Sequence, residues 1–463
     1  MARIGILPLG RPTFDVPFAQ DNLAGMLAAL DSSDHEIVGP RELLFDAEAT
    51  QAGLLHLRDA QIDMLLLLQV TFTDASMTVA AANAFPDTPL ALWAVPEPRL
   101  GGRLRLNAFC GLNLASHALG LADRSFGWLY AAPSEVGSDL TDLLAGGRRA
   151  GRLVPQPVDP AYRCSEGDAA VARLRGRKIA RIGEHPDGFD TCAYDAPTLE
   201  RLSGITVDAF PLEALFARAK AASANATAKI RETAEATLDG LDDVDQGELD
   251  KSLRLKVALD EMRGEGNYDA FALRCWPETF TEYGGAVCGP VSMMGEARVP
   301  CACEADVYGA VSQMMLQEAS GAPVFLVDLV DMDETDDTGV VWHCGQAPIS
   351  MRDPKTVAQA TIHTNRKMPL LYEFPLRPGR VTLMRISQAH NSPRMVLAGG
   401  EMLERPMAFT GTSGVLAFDN GIKTTLPALI DAGLEHHMAL VYGEKRDALR
   451  AMAAALNLPV LEL

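Results

Sequence analysis

The chain has 463 residues, 48% hydrophobic and 22% charged, with a formal net charge of −20. That length exceeds what one hydrophobic core organises, so two or three domains are expected. The acidic excess argues against nucleic acid and against an anionic membrane as partners, and an anionic substrate would need a local basic pocket. No apolar leader precedes the first strand-like segment and no apolar run is long enough to span a bilayer, so a cytoplasmic protein is expected. The eight cysteines form no CxxC pair; reduced, mostly buried thiols are expected.

In chain order, residues 3–8 read as a strand, and Phe18, Leu23, Met26, Leu27 and Leu30 carry a helical period. Residues 36–39 read as a second strand, residues 54–60 as a helix, and 64–69 as an apolar strand of the kind buried in parallel sheets. Residues 89–93 and a helix near 112–120 continue the alternation, which signals an α/β domain. Proline and glycine cluster over 145–170. A second α/β series opens at Lys178 and includes a long polar stretch, 213–262, read as two helices. After residue 348, short alternating segments at 379–387, 394–398 and 414–418 indicate a small antiparallel β domain. A final helix (445–456) and a strand from Pro459 close the chain. The expected fold class is α/β: two Rossmann-like doubly wound domains, 1–168 and 169–347, then a C-terminal β domain, 348–463, that carries a late histidine.

Val299–Val307, a helical run and Pro323–Asp328 read as strand, helix, strand. The two strands end in Glu304 and Asp328, 24 residues apart, the length of a short βαβ crossover. Parallel strands would open both carboxylates onto one crevice, a site for a hard metal and for proton transfer. The bland alternative is that Glu304 or Asp306 caps the helix and Asp328 starts a turn. The acidic run 328–337 lacks the glycine and glutamate of a calcium-binding EF-hand loop, and its distal part reads as a solvated loop over the site. His343, 15 residues after Asp328, is either a site residue or an ordinary core histidine. One imidazole with two carboxylates suits a divalent ion such as Mn2+. Arg274, Trp276 and Glu278 follow a strand and form either a pocket wall or a structural group. Asp15, Gln69, Asn113 and His117 sit at strand ends or helix starts, where capping or core hydrogen bonding is the alternative. Arg385 and Glu401 stand in the same position.

Ala302–Asp306, Phe325–Asp328, Trp342–Gly345 and His437–Gly443, with Arg274–Glu278 and Gln69–Thr73, resemble the L-fucose isomerase and L-arabinose isomerase superfamily, in its fucose-isomerase-like branch. The resemblance implies Mn2+, or another divalent cation such as Mg2+ or Co2+, held by Glu304, Asp328 and His437. It also implies that Glu304 and Asp328 act as the acid–base pair of an aldose–ketose isomerisation through a cis-enediol, with a hydride shift left open. A trimer or hexamer is implied, in which a neighbouring subunit's first domain helps close the site. The rivals are a metal-dependent lyase or epimerase on the same fold and a non-catalytic sugar-binding protein. Nicotinamide chemistry is disfavoured, since no GxGxxG follows a strand. Deoxy, pentose, hexose and sulfonated sugars all stay open as substrates.

Overall fold

The computed structural model describes residues 1–151 and 153–463. Its first sheet has five parallel strands in the order Glu36–Val38, Arg3–Leu9, Met64–Gln69, Leu90–Ala94, Gly127–Tyr130. Every residue of Met64–Gln69 is buried, as the apolar run predicts for a strand covered on both faces. Asp15 and Asp46 start the helices Val16–Asp31 and Ala47–Ala60 by accepting the N–H of Phe18 and of Ala49, each cap contributing about 1 kcal/mol. The strand order reverses between Arg3–Leu9 and Met64–Gln69, so a crevice opens beyond Leu9 and Gln69, the usual ligand position in such sheets.

A four-stranded parallel sheet follows, ordered Thr206–Phe210, Lys178–Ile182, Ala270–Leu273, Cys301–Ala302. Its own reversal lies between Lys178–Ile182 and Ala270–Leu273, which places Trp276 at a second crevice. The polar stretch is three helices rather than two: Leu212–Ala221, Ala224–Glu235 and Gln246–Gly266. Ser223 makes the extra break by capping the second of them through the N–H of Ala226.

The third sheet corrects the βαβ expectation. Phe325–Asp333 does not join Cys301–Ala302 in a parallel sheet; it runs on past Asp328 to Asp333 and pairs antiparallel with both Thr338–His343 and His437–Tyr442. These strands belong to a nine-stranded mixed sheet that also contains Gly379–Ser387, Arg394–Met402 and Thr412–Phe418. Antiparallel pairing of Thr412–Phe418 with Arg394–Met402 closes the middle strands into a barrel, which removes their free edges. The helix Val307–Ser320 therefore connects the four-stranded sheet to this barrel, with Val311, Met314 and Met315 packed on Leu326, Met384 and Ala439. Among the described residues no helix is long and apolar enough to cross a membrane.

Candidate active site

The antiparallel register sets Asp328 directly opposite His437 on one flank and Trp342 on the other. Directly opposed residues point to the same face of a sheet, so Asp328 and His437 converge. Glu304 reaches them from the four-stranded sheet by a different device. Strand Cys301–Ala302 stops and the chain turns through Glu304 and Ala305 with φ of 57° and 54°, a left-handed conformation that costs about 1–2 kcal/mol per non-glycine residue. The turn swings the Glu304 carboxylate toward the barrel. Trp276 Nε1 donates to Glu304 Oε1 at 3.0 Å, and His436 Nε2 donates to Oε2 at 3.0 Å. Behind the turn, Cys275 and Cys303 form a disulfide with Cα atoms 5.8 Å apart. The expectation of reduced thiols is thus corrected for this pair; neighbouring parallel strands bring the two cysteines together.

His437 is 1% exposed and is held from one side. Its Nδ1–H donates to Asp306 Oδ2 at 2.9 Å, leaving Nε2 3.2 Å from Asp328 Oδ1 and 3.8 Å from Glu304 Oε2. A carboxylate on the far nitrogen fixes the tautomer and turns the near nitrogen into a ligand. Asp306 also caps the helix Val307–Ser320 through Gly309 N, 2.7 Å away, and pairs with Arg385 through both guanidinium nitrogens. Gly309 is required there, because a Cβ would stand 2.5 Å from the Asp306 carboxylate. Burial pushes the Asp306 carboxyl up, but Arg385 and His437 outweigh it and hold it well below the usual range. Burial likewise opposes the ionised Glu304, and its contact with His436 wins, so that carboxyl is lowered.

The side chains around His437 form two groups that could hold a metal ion. Asp328 Oδ1 is buried with no hydrogen-bond donor, and the two groups, one of Cys192, Glu304 and His436 and one of Asp328 and His343, share His437 and have ligand atoms close enough for an ion. The His343 ring lies 5.8 Å from that of His437. Its Nδ1 accepts the N–H of Cys344 at 2.9 Å, which places the proton of the neutral ring on Nε2, so that the neutral ring donates toward the site.

Glu304, Asp328, His343 and Trp276 line one pocket, with His437 set against the carboxylates from within the barrel. Three other candidates lie elsewhere. Gln69 is fully buried in the first sheet and donates to Thr71 O and Thr73 Oγ1. Asp15 caps its helix and pairs with Arg105 at 2.9 Å. Arg274 pairs with Glu278 at 2.6 Å along a separate groove. Asn113 and His117 donate to Leu434 O and Gly433 O, tethering the first domain to the segment just before His436. The distal acidic residues 334–337 do not cover the pocket. Unforeseen members are His436, Arg11, Arg366, Phe72 and Asn107. The resemblance assigns part of the wall to a neighbouring subunit's first domain; here Arg11, Phe72 and Asn107 of the same chain supply a first-domain wall.

Residues 5–151 match the family model for the N-terminal domain of fucose/sulfoquinovose isomerases. Over its full length the chain is 31% identical to the sulfoquinovose isomerase of Alkalicoccus urumqiensis, covering 100% of both chains. It is 30% identical to the sulfoquinovose isomerase of Priestia aryabhattai, over 98% of this chain and 97% of that one. The one from Clostridium sp. (strain MSTE9) is also 30% identical, over 98% of each. With whole-chain similarity of this kind and a carboxylate–imidazole centre in its pocket, the chain belongs to the fucose/sulfoquinovose isomerase family and is an enzyme that interconverts a sugar aldose with its ketose.

Proposed function

We propose that the substrate is a sulfonated aldose of the sulfoquinovose type and that Glu304, Asp328 and His437 hold a divalent cation, Mn2+ before Mg2+ or Co2+. The observation that carries the reading is the convergence of the Glu304 and Asp328 carboxylates on His437 Nε2 while Asp306 holds its Nδ1. Oxygen donors with one imidazole suit such a cation, and when bound it polarises the sugar carbonyl and acidifies the adjacent C–H.

The protein groups divide the remaining work. Glu304 is fixed at both oxygens, by Trp276 and by His436, so it is oriented to take the C2 proton and return it to C1. Asp328 manages the proton exchanged between O1 and O2 across the cis-enediol. His343 Nε2–H, buried without an acceptor, supplies a hydrogen bond to a sugar oxygen. Trp276 and Phe72 give apolar walls to the carbon chain. A trimeric or hexameric assembly completes the reading on the strength of the family resemblance, together with the cytoplasmic location expected from the sequence.

The test is isomerisation in D2O with Mn2+ present, followed by NMR over sulfonated, deoxy, pentose and hexose aldoses. The sulfonated aldose is expected to give its ketose with deuterium at C1. A chelator stops the exchange and Mn2+ restores it. Exchange that continues undiminished after metal removal, or no exchange with any aldose, overturns the reading.

A further inference from the structure

We infer that Arg11 and Arg366 form the subsite for the terminal anionic group of the sugar, and that this subsite is matched to a monoanion, a sulfonate rather than a phosphate ester. The inference rests on the isomerase reading above and extends it to the residues that select the substrate.

The two guanidiniums come from separate parts of the fold. Arg11 follows the strand Arg3–Leu9 at the crevice of the five-stranded sheet, and Arg366 sits in the loop 363–368 that precedes strand Leu371–Pro375. Both line the pocket that holds Glu304 and Asp328. Both also lie against Trp276, their Cζ atoms 5.5 and 4.9 Å from its ring centroid. Arg11 packs on Phe72 as well, and Arg366 on Phe280.

Their charges are incompletely neutralised. Arg11 pairs with Asp74 at 2.5 Å. Arg366 contacts His363 Nε2 at 3.3 Å, and among the described residues no carboxylate lies within ion-pair distance of it. Burial lowers the pKa of Arg366, and the Arg11 charge adds to that effect. Two guanidiniums against one carboxylate leave a net charge of +1 at this end of the pocket, in a protein whose net charge is −20. A half-buried, like-charged pair of this kind calls for an anion between its members, and the planar fork of arginine suits a tetrahedral oxyanion. A sulfonate brings one negative charge and balances the subsite, whereas a phosphate ester brings about −1.5 to −2 at neutral pH.

Trp276 gives the subsite its distance from the chemistry. The same indole that lies under both guanidiniums donates its N–H to Glu304 at 3.0 Å. A sugar lying along the indole puts its anionic end on the arginines and its C1–C2 end at the carboxylates, which selects for substitution at the far end of the chain.

Calorimetric binding of sulfoquinovose, glucose and glucose 6-phosphate to the Mn2+-loaded protein tests this. Wild type is expected to prefer the sulfonated sugar, with a preference that shrinks as salt rises. In Arg366→Met the ratio of sulfonated-sugar to glucose affinity falls by about 30-fold, and Arg366→Lys recovers part of it. Asp74→Asn raises the subsite to +2 and moves preference toward glucose 6-phosphate by about tenfold. An unchanged ratio in Arg366→Met overturns the subsite, and a wild type that prefers the phosphate ester overturns the match to a monoanion. Should Arg366→Met fail to fold, competition on wild type decides: methanesulfonate should weaken binding of sulfoquinovose and not of glucose, and equal effects on the two sink the inference. Deuterium exchange separates this outcome from that of the reaction itself. Arginine-dependent binding without exchange keeps the subsite and removes the isomerase mechanism; exchange with arginine-independent binding does the reverse.

Discussion

Glu304→Gln is expected to reduce C2 proton exchange by about 10³-fold, near the middle of the range for loss of a positioned general base. Glutamine keeps the length of the side chain and still accepts the Trp276 N–H through its amide oxygen, so the left-handed turn at residue 304 is retained. What it loses is the capacity to take a proton, together with one negative charge beside His437. Asp328→Asn should fall in the same range, because Asp328 Oδ1 has no donor to satisfy it and an amide NH2 turned there would face His437 instead. Metal content measured alongside rate divides the two roles: a variant that keeps its metal and loses exchange has lost the base. Near-normal exchange in either variant would sink the assignment of these carboxylates to the chemistry.

That Glu304 and Asp328 open onto one pocket was legible in sequence, though for a reason the structure replaces. An apolar run such as Phe325–Val327 is the same whether a strand lies in a parallel sheet or in the wall of a barrel. Which strand pairs with it is a non-local matter, and that pairing is what sets His437 opposite Asp328. The turn that aims Glu304 had no local signal, since neither Glu304 nor Ala305 is a residue type that favours positive φ. His436 lies just before the strand His437–Tyr442, where no pleat fixes a side chain's direction, and its contact with Glu304 depends on the non-local approach of the turn at residue 304. Arg366 sits in a loop, and loops carry no period from which a side chain's direction can be read. The third helix of the polar stretch was different: Ser223 is an ordinary capping residue and marked the break in plain view.

Arg385→Met is expected to cost about 3–5 kcal/mol of stability, the range for stranding one member of a buried charge pair. Arg385 and Asp306 are 2% and 0% exposed, so water cannot replace the lost guanidinium. Methionine fills much of the volume but leaves the Asp306 carboxylate with Gly309 N and His437 alone. Asp306→Asn combined with Arg385→Met should be less damaging than the single effects added together, because the double variant has no stranded charge. The pH dependence follows from the depressed pKa of Asp306 in the folded protein. The stabilisation it reports is fully present above the unfolded value of about 3.9 and is lost as pH falls from there toward the lower folded value. Without Arg385 the folded pKa rises and less of that stabilisation exists to be lost, so the difference between wild type and Arg385→Met in denaturant midpoint should narrow as pH drops below about 4. Metal affinity moves with it, because Asp306 holds His437 Nδ1, and Asp306→Asn should weaken divalent-ion binding by about 10- to 100-fold. A variant that keeps both the midpoint and the metal would mean that the Asp306–Arg385 pair neither holds the barrel to its helix nor orients the histidine.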